Sequence, residues 1–186
     1  MQLAALGIPV LTLIDDDVVS IENLAVQGYT PSDLQRPKVD ACAEVCQAMN
    51  PQINLQTLPV RFTRSSILSS QRDRMAIFAC VDSMMSRRIL FQQTHAKAGF
   101  YADGRMAGEV LRVIASNDPP ADSYYPQTLF EDRQAHPAPC TSRSTLYAAS
   151  IAAGLMLSRF AAHLRGQVFS RDVLLNLTAD ELVILG

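Results

Sequence analysis

Acidic residues stand at two places where the carboxyl ends of predicted strands fall. Asp15 and Asp17 follow the apolar run Val10–Ile14, and Asp82 follows the apolar run Met75–Val81. A carboxylate at the end of the second strand of a βαβ unit can hold ribose hydroxyls, and one at the edge of a parallel sheet can hold Mg²⁺ bridging phosphates. A simpler interpretation stays open for each, because the first pair can merely end a strand and Asp82 can cap the next helix.

A lysine and a cysteine have sequence surroundings that suit reactions with charged or acyl groups. Lys38 lies in the first turn of a predicted helix, where a cation opposes the helix dipole, so phosphate binding and a solvated surface corner both stay open. Cys140 follows a proline-rich segment and begins a predicted helix with Arg143 close by, a setting that lowers the pKa of a thiol and favours the thiolate, so a reactive and a structural thiol both stay open. The other three cysteines fall on faces or strands that we expect to be buried: Cys42, Cys46 and Cys80.

The composition is that of an ordinary globular chain. Of its 186 residues, 48% are apolar and 18% are charged, which disfavours disorder and coiled coil. The formal net charge is −2, so no electrostatic argument points to nucleic acid. No signal peptide is evident, the longest uncharged apolar stretch is too short to span a bilayer, and no cysteines form a CxxC pair. We therefore expect a cytoplasmic protein without nucleic-acid or membrane partners.

The elements that must position these residues follow from the apolar periodicity. Strands alternate with helices, which predicts an α/β fold with a Rossmann-like, mainly parallel sheet and helices on both faces. The predicted strands are 10–14, 53–57, 75–81, 100–102, 110–115, 173–177 and 182–185, and the predicted helices are 37–49, 86–98 and 144–164. Helix 86–98 is expected to end at Gly99. Residues 116–140 hold five of the ten prolines and are predicted to form a long crossover loop that ends at Cys140.

The first residues resemble the second half of a βαβ unit. Gln2–Leu6 has the pattern of the last turns of a helix that ends at Gly7, and a strand follows at once. None of the eight glycines forms a GxGxxG or Walker pattern. We therefore expect this chain to lack the first strand and the glycine-rich loop of the fold, about 30 residues.

Four segments together resemble the family of ubiquitin-activating enzymes and their bacterial relatives ThiF, MoeB and HesA. LTLIDDDVVSIENLAVQ is similar to the family pattern D-x-D-x-V-x-x-x-N-L-x-R-Q, and the RPK and NP that bound the next helix are similar to its G-x-P-K stretch and helix end. FACVDS is similar to the D-x-x-D-N pattern, and PCT to the segment that bears the thioester cysteine. The resemblance covers residues 3–165 and implies one adenylation domain over residues 1–186.

The resemblance implies a chemistry in two steps. ATP and the C-terminal glycine of a ubiquitin-like or sulfur-carrier protein ending in Gly-Gly would form an acyl-adenylate with the help of Mg²⁺, and a thiolate would then take the acyl group as a thioester. A homodimer or pseudo-dimer is also implied. The implied roles are ribose binding by Asp15, phosphate binding and catalysis by Lys38, metal binding by Asp82, acyl transfer by Cys140, and lining of the nucleotide pocket by Asp17, Asn23 and Gln27.

The sequence departs from the family pattern at three positions. Val26 stands where the family has arginine, Ser83 replaces the asparagine after the metal-binding aspartate, and Ala79 replaces an earlier aspartate. A non-catalytic or partner-dependent subunit that acts as an interaction scaffold is therefore the alternative. A dinucleotide-dependent oxidoreductase ranks last, because Asp15 alone permits it and the other candidate residues would have no role.

Overall fold

The structure is a computed structural model that describes residues 1–24, 27–66, 75–131 and 146–186. These residues fall into two structural units. The first is centred on Met1–Phe62, and the second is formed by the described residues from Thr63 onward apart from Leu146. No helix in these ranges is both long and apolar enough to cross a lipid bilayer.

The first unit is a two-stranded parallel sheet with helices beside it. Its elements are α1 (Gln2–Ala5), β1 (Val10–Ile14), α2 (Lys38–Met49) and β2 (Asn54–Leu58), with 3₁₀ turns at Ile21–Asn23 and Pro31–Asp33. β1 and β2 pair in parallel. The bounds of β1 are those predicted, and α2 begins one residue later than predicted because Pro37 is its N-cap.

The core of the first unit lies between this sheet and the helices. Ala4, Cys46 and Ile53 are buried there, and Leu11 of β1 packs against them. Gly7 follows α1 with φ +84°, a left-handed conformation that glycine adopts without steric cost. The predicted helix end at Gly7 is therefore confirmed.

The second unit is a five-stranded sheet with two long helices. Its elements are β3 (Met75–Ala79), α3 (Met84–Thr94), β4 (Ala98–Ala107), β5 (Val110–Ser116), α4 (Leu146–Leu164), β6 (Asp172–Asn176) and β7 (Glu181–Ile184), with 3₁₀ turns at His95–Lys97, Pro119–Ala121 and Tyr125–Thr128. The strand order is β3-β4-β5-β6-β7. β3 and β4 are parallel, and the other neighbours are antiparallel.

Helices cover both faces of this sheet at β4, because alternate residues of a strand point to opposite faces. On one face, the ring centroid of Phe100 lies 5.2 Å from that of Phe160 in α4. On the other face, Tyr101 meets Phe91 of α3 edge-on at 5.1 Å. β4 is therefore a central strand with a helix on each side.

The structure confirms the α/β class and changes two details. Among the described residues, the two-stranded sheet is parallel, whereas the five-stranded sheet has one parallel and three antiparallel pairings and is therefore mixed rather than mainly parallel. The reason is that β4 runs on to Ala107 and turns at once into β5, and so short a connection joins only antiparallel strands. The prediction that this helix ends at Gly99 was wrong. The α-helix ends at Thr94, one 3₁₀ turn follows it, and Gly99 lies inside β4.

Candidate functional site

Three of the predicted nucleotide-binding residues lie together in the first unit. Lys38 Nζ donates a hydrogen bond to Asp17 Oδ2 at 2.7 Å, and the Asp17 backbone N–H donates to Asp15 Oδ1 at 2.9 Å. The Lys38 backbone N–H also donates to the Asp17 carbonyl oxygen at 2.9 Å. The end of β1 and the start of α2 are thus held together by this lysine and these two aspartates.

This group contains three acidic side chains and one basic side chain. The carboxylates of Asp15, Asp16 and Asp17 all lie within 4.8 Å of one another, and Lys38 forms an ion pair with the last of them. The Lys38 side chain is 12% exposed and that of Asp17 is 61% exposed. The ion pair also offsets the unfavourable position of Lys38 in the first turn of α2. Chemically, the aspartates can accept hydrogen bonds from paired hydroxyls, and the ammonium can bind an anion.

Asn23 and Gln27 follow this group in the chain. Asn23 is buried, and its Oδ1 accepts hydrogen bonds from the Ser20 backbone N–H and hydroxyl, both at 3.0 Å. The Gln27 backbone N–H donates to the Asn23 carbonyl at 3.0 Å, and the residue is exposed. The Asn23 side chain therefore shapes the 3₁₀ turn, and the nucleotide roles of both residues stay predictions.

Tyr29 is a neighbour of the aspartate group that sequence reasoning missed. Its hydroxyl donates to the Lys38 carbonyl oxygen at 3.5 Å. Burial raises the pKa of the Tyr29 phenol to about 12, with the negative charge of Asp15 and Asp17 adding to the effect. The phenol therefore stays protonated at neutral pH and helps to hold the start of α2. A lone tyrosine in a polar stretch gives no sequence signal of such a role.

Asp82 lies in the second unit, on the loop between β3 and α3, and is exposed. The alternative that Asp82 caps the following helix is wrong, because Ser83 is the N-cap and its Oγ accepts from the Ser86 backbone N–H at 3.0 Å. Among the described residues, the one cluster of at least three metal-ligating side chains is Asp15–Asp17. A single carboxylate still fits Mg²⁺, which keeps several waters and takes further ligands from substrate phosphates.

A buried charged cluster in the same structural unit as Asp82 was not predicted. Asp103 in β4 is completely buried and forms ion pairs with Arg87 of α3 and Arg105 of β4. The Tyr125 hydroxyl donates to Asp103 Oδ2 at 3.0 Å, and burial raises the pKa of Tyr125, so its phenol keeps the proton. The available signal was a pair of opposite charges two residues apart within an otherwise apolar stretch.

The cysteines divide differently from the prediction. Cys140, the candidate thioester residue, lies outside the described residues, as does most of the C-terminal part of the predicted crossover loop. Cys46 is buried and Cys42 is half-buried, as expected. Cys80 as a whole residue is exposed rather than buried, although burial raises the pKa of its thiol. The reason is that β3 ends at Ala79, and Cys80 already belongs to the loop.

The fold resembles that of known structures. Escherichia coli MccB in its crystal structure with MccA-N7isoASN matches with a TM-score of 0.73 at 13% sequence identity, covering 98% of this chain and 58% of that chain. This likeness concerns the fold alone. It extends over both structural units.

Sequence comparison identifies the family. The chain is 32% identical over 89 residues to the sulfur carrier protein ThiS adenylyltransferase of Escherichia coli strain K12, covering 47% of this chain and 36% of that protein. It is 30% identical over 112 residues to the molybdopterin-synthase adenylyltransferase of Haemophilus influenzae, covering 58% of this chain and 46% of that protein. The matched parts are thus less than half of each relative. The ThiF family model matches residues 1–176, and the chain therefore belongs to the ThiF family.

Proposed function

We propose that this chain contributes to ATP-dependent adenylation of the C-terminal glycine of a ubiquitin-like or sulfur-carrier protein. The observation that carries the proposal is the grouping of Asp15, Asp17 and Lys38 at the end of β1, in a chain whose relatives are named adenylyltransferases. The name of one relative gives the sulfur carrier protein ThiS as its substrate.

Acidic and basic residues of the group bind different parts of the nucleotide. Asp15 accepts hydrogen bonds from the ribose hydroxyls, as an acidic residue at a strand end does in nucleotide folds. Lys38 exchanges its contact with Asp17 for the phosphates and stabilises the charge that develops when the glycine carboxylate attacks the α-phosphate and pyrophosphate leaves. Asp17, Asn23 and Gln27 complete the wall of the pocket.

Asp82 is the residue that would hold Mg²⁺. Bound there, the ion would neutralise phosphate charge. The exposed carboxylate of Asp82 is free of helix capping, because Ser83 performs that role. Water and phosphate oxygens would complete the coordination.

Cys140 would accept the acyl group as a thioester. Its thiolate attacks the carbonyl carbon of the acyl-adenylate, a carbon–sulfur bond forms, and AMP leaves. We propose this step from the position of Cys140 in the family pattern. The expectations of a single adenylation domain over residues 1–186, of a homodimer or pseudo-dimer and of a cytoplasmic location rest on the same resemblance and on the sequence.

A non-catalytic scaffold is the second candidate. It is favoured by Val26, which stands where the family pattern has a cationic arginine. Such a subunit would keep the fold and bind a partner protein without binding ATP.

The deciding experiment mixes the purified protein with ATP, Mg²⁺ and the sulfur carrier protein ThiS. We expect ATP–pyrophosphate exchange that disappears in Asp82→Ala and persists in the control Asp118→Ala, an exposed aspartate of the same unit. We also expect a thiol-sensitive adduct that disappears in Cys140→Ala. Exchange without an adduct would refute the thioester step. If the protein does not bind ATP, the non-catalytic scaffold is the better explanation of its function.

A further inference from the structure

Asp103 is the centre of a buried network that connects two loops of the second unit. It is completely buried in β4, and the two arginines that it binds, Arg87 and Arg105, are 4% and 8% exposed. Arg105 Nε donates to Asp103 Oδ2 at 2.7 Å, and Arg87 Nη1 donates to Asp103 Oδ1. One carboxylate therefore binds two guanidinium groups, and other N–H donors of these groups bind different acceptors.

Those other donors reach the two loops, where they bind backbone carbonyl oxygens and one side-chain hydroxyl. Arg87 Nη2 donates to the carbonyl oxygen of Val81, the residue immediately before Asp82. Arg87 Nη1 also donates to the Gly104 carbonyl at 3.2 Å. The loop that carries Asp82 is thus tied directly to the central strand of the sheet.

The second arm reaches the segment that leads towards Cys140. Arg105 Nη1 donates to the Thr128 carbonyl oxygen and its Nη2 to the Thr128 hydroxyl, both at 2.8 Å. The Tyr125 hydroxyl donates to the same Asp103 carboxylate. The 3₁₀ turn Tyr125–Thr128 is therefore held by the carboxylate that also holds the Asp82 loop.

A role in stability alone explains this arrangement poorly. Burying three charges is expensive, and apolar residues of similar volume often stabilise a fold as well or better. Arg87 Nε is buried and has no hydrogen-bond partner, so this side chain does not satisfy all of its own donors. Its placement is better explained by the bridge that it makes between Asp103 and Val81.

We propose that Arg87, held by Asp103, is a positioning residue that fixes the Asp82 loop for metal and phosphate binding. This inference rests on the proposed function, because it assigns Arg87 a task only if Asp82 binds Mg²⁺. Arg87 acts through the Val81 carbonyl and does not itself touch the metal. Without the hydrogen bond from Arg87, the backbone on one side of Asp82 is no longer restrained. The Asp82 carboxylate then loses conformational entropy each time it binds the ion, which weakens binding.

The test compares Arg87→Met and Arg87→Lys with the control Arg88→Met, which removes the next arginine of α3. The first measurement is hydrogen–deuterium exchange of a peptide covering residues 80–83. The second is the Mg²⁺ concentration that gives half-maximal ATP–pyrophosphate exchange. For Arg87→Met we expect both the exchange rate of the loop amides and the required Mg²⁺ concentration to rise at least about tenfold, the loss typical of one hydrogen bond from a charged donor.

Arg87→Lys keeps the charge but lacks the fork that bridges two acceptors, so we expect smaller shifts in the same direction. Arg88→Met should match the wild type. The inference is overturned if Arg87→Met lowers the maximal rate while leaving the Mg²⁺ requirement and loop exchange unchanged, the result for a merely structural residue. If Arg87→Met does not fold, unchanged values in Arg87→Lys overturn it equally.

Failure of the proposed function would look different. In that case the wild-type protein has no ATP–pyrophosphate exchange at all, and the function is rejected. The hydrogen–deuterium exchange measurement still decides whether Arg87 restrains the loop. Faster exchange in Arg87→Met than in Arg88→Met supports the clamp, and equal exchange refutes it.

Discussion

Lys38 and Asp17, 21 positions apart in the sequence, form an ion pair with an Nζ–Oδ2 distance of 2.7 Å. The carboxylate is 61% exposed, so water competes for it, whereas the lysine is mostly covered. An ion pair of this kind contributes little to stability. The ammonium can therefore exchange the carboxylate for a stronger anion at a small free-energy difference.

The first prediction concerns Lys38→Met. We expect the free energy of unfolding to change by less than about 1 kcal/mol, because the Asp17 carboxylate of this ion pair is 61% exposed and water competes for it. ATP–pyrophosphate exchange should fall about 10²-fold, the effect typical of removing one group that stabilises transition-state charge. Urea denaturation and the exchange assay measure the two effects. The control is Lys97→Met, an exposed lysine of the second unit, and equal activity in the two variants would contradict the role of Lys38.

The second prediction concerns the buried carboxylate of Asp172 at the start of β6. It accepts hydrogen bonds from Arg112 Nε at 2.9 Å, Arg112 Nη2 at 2.6 Å and the Tyr124 hydroxyl at 2.7 Å. Asp172→Asn leaves Arg112 without its counter-charge and should lower the free energy of unfolding by about 3 kcal/mol. Urea denaturation measures this, with the exposed Asp118→Asn as control. A loss below about 1 kcal/mol would show that the pair is dispensable.

The third prediction concerns the alkaline stability of the protein. The pKa of Tyr29 is raised from 10.0 to about 12, so the folded state favours the neutral phenol. This contribution to stability is fully present below pH 10 and is lost as the pH rises from 10 towards 12. Tyr29→Phe, which cannot ionise, should therefore lose less stability than the wild type over this interval.

The measurement is urea denaturation at several alkaline pH values. Tyr147→Phe is the control, because this tyrosine is 45% exposed. The prediction fails if Tyr29→Phe and the wild type lose stability in parallel across the interval.

The fourth prediction concerns the contact between β4 and α4. A Cβ added at Gly104 would lie 2.8 Å from the Met156 sulfur, so Gly104→Ala must displace that side chain. We expect a loss of about 1–3 kcal/mol in the free energy of unfolding. Because the two residues are in contact, Gly104→Ala combined with Met156→Ala should cost less than the sum of the two changes.

Gly154→Ala is the matched control for this prediction. Gly154 lies on the exposed side of α4, and an added Cβ would meet no atom within 4 Å. It should stabilise the protein by about 0.5–1 kcal/mol, because alanine favours the helix. Strict additivity of Gly104→Ala and Met156→Ala would rule out the contact.

Sequence reasoning succeeded where local pattern decides the structure. The apolar run Val10–Ile14 is bounded by polar residues and became β1 unchanged. The shared nucleotide role of Asp15 and Lys38 was implied by the family resemblance and not by local pattern. Helix capping was less predictable, because Asp82 and Ser83 are both good N-cap residues and a shift of one position decides between them.

Only residues 100–102 of strand β4 were predicted, because the rest of the strand depends on distant partners. Asp103, Gly104 and Arg105 are unfavourable in a buried strand when considered alone. They are accommodated because Arg87 of α3 pairs with the aspartate and Met156 of α4 fills the space over the glycine. These partners lie 16 and 52 positions away, outside any local pattern.

The hairpin of β4 and β5 has a consequence for how the second unit folds. Gly108 is the first residue of its two-residue turn and has φ +61°, as a type II′ turn requires. Such hairpins form within about 1–10 μs, whereas the parallel pairing of β3 with β4 must wait for the intervening α3 crossover. We expect this hairpin to form first when the second unit folds. The carboxylate of Asp103 is then already in place when Arg87 binds it and connects the Asp82 loop to the sheet.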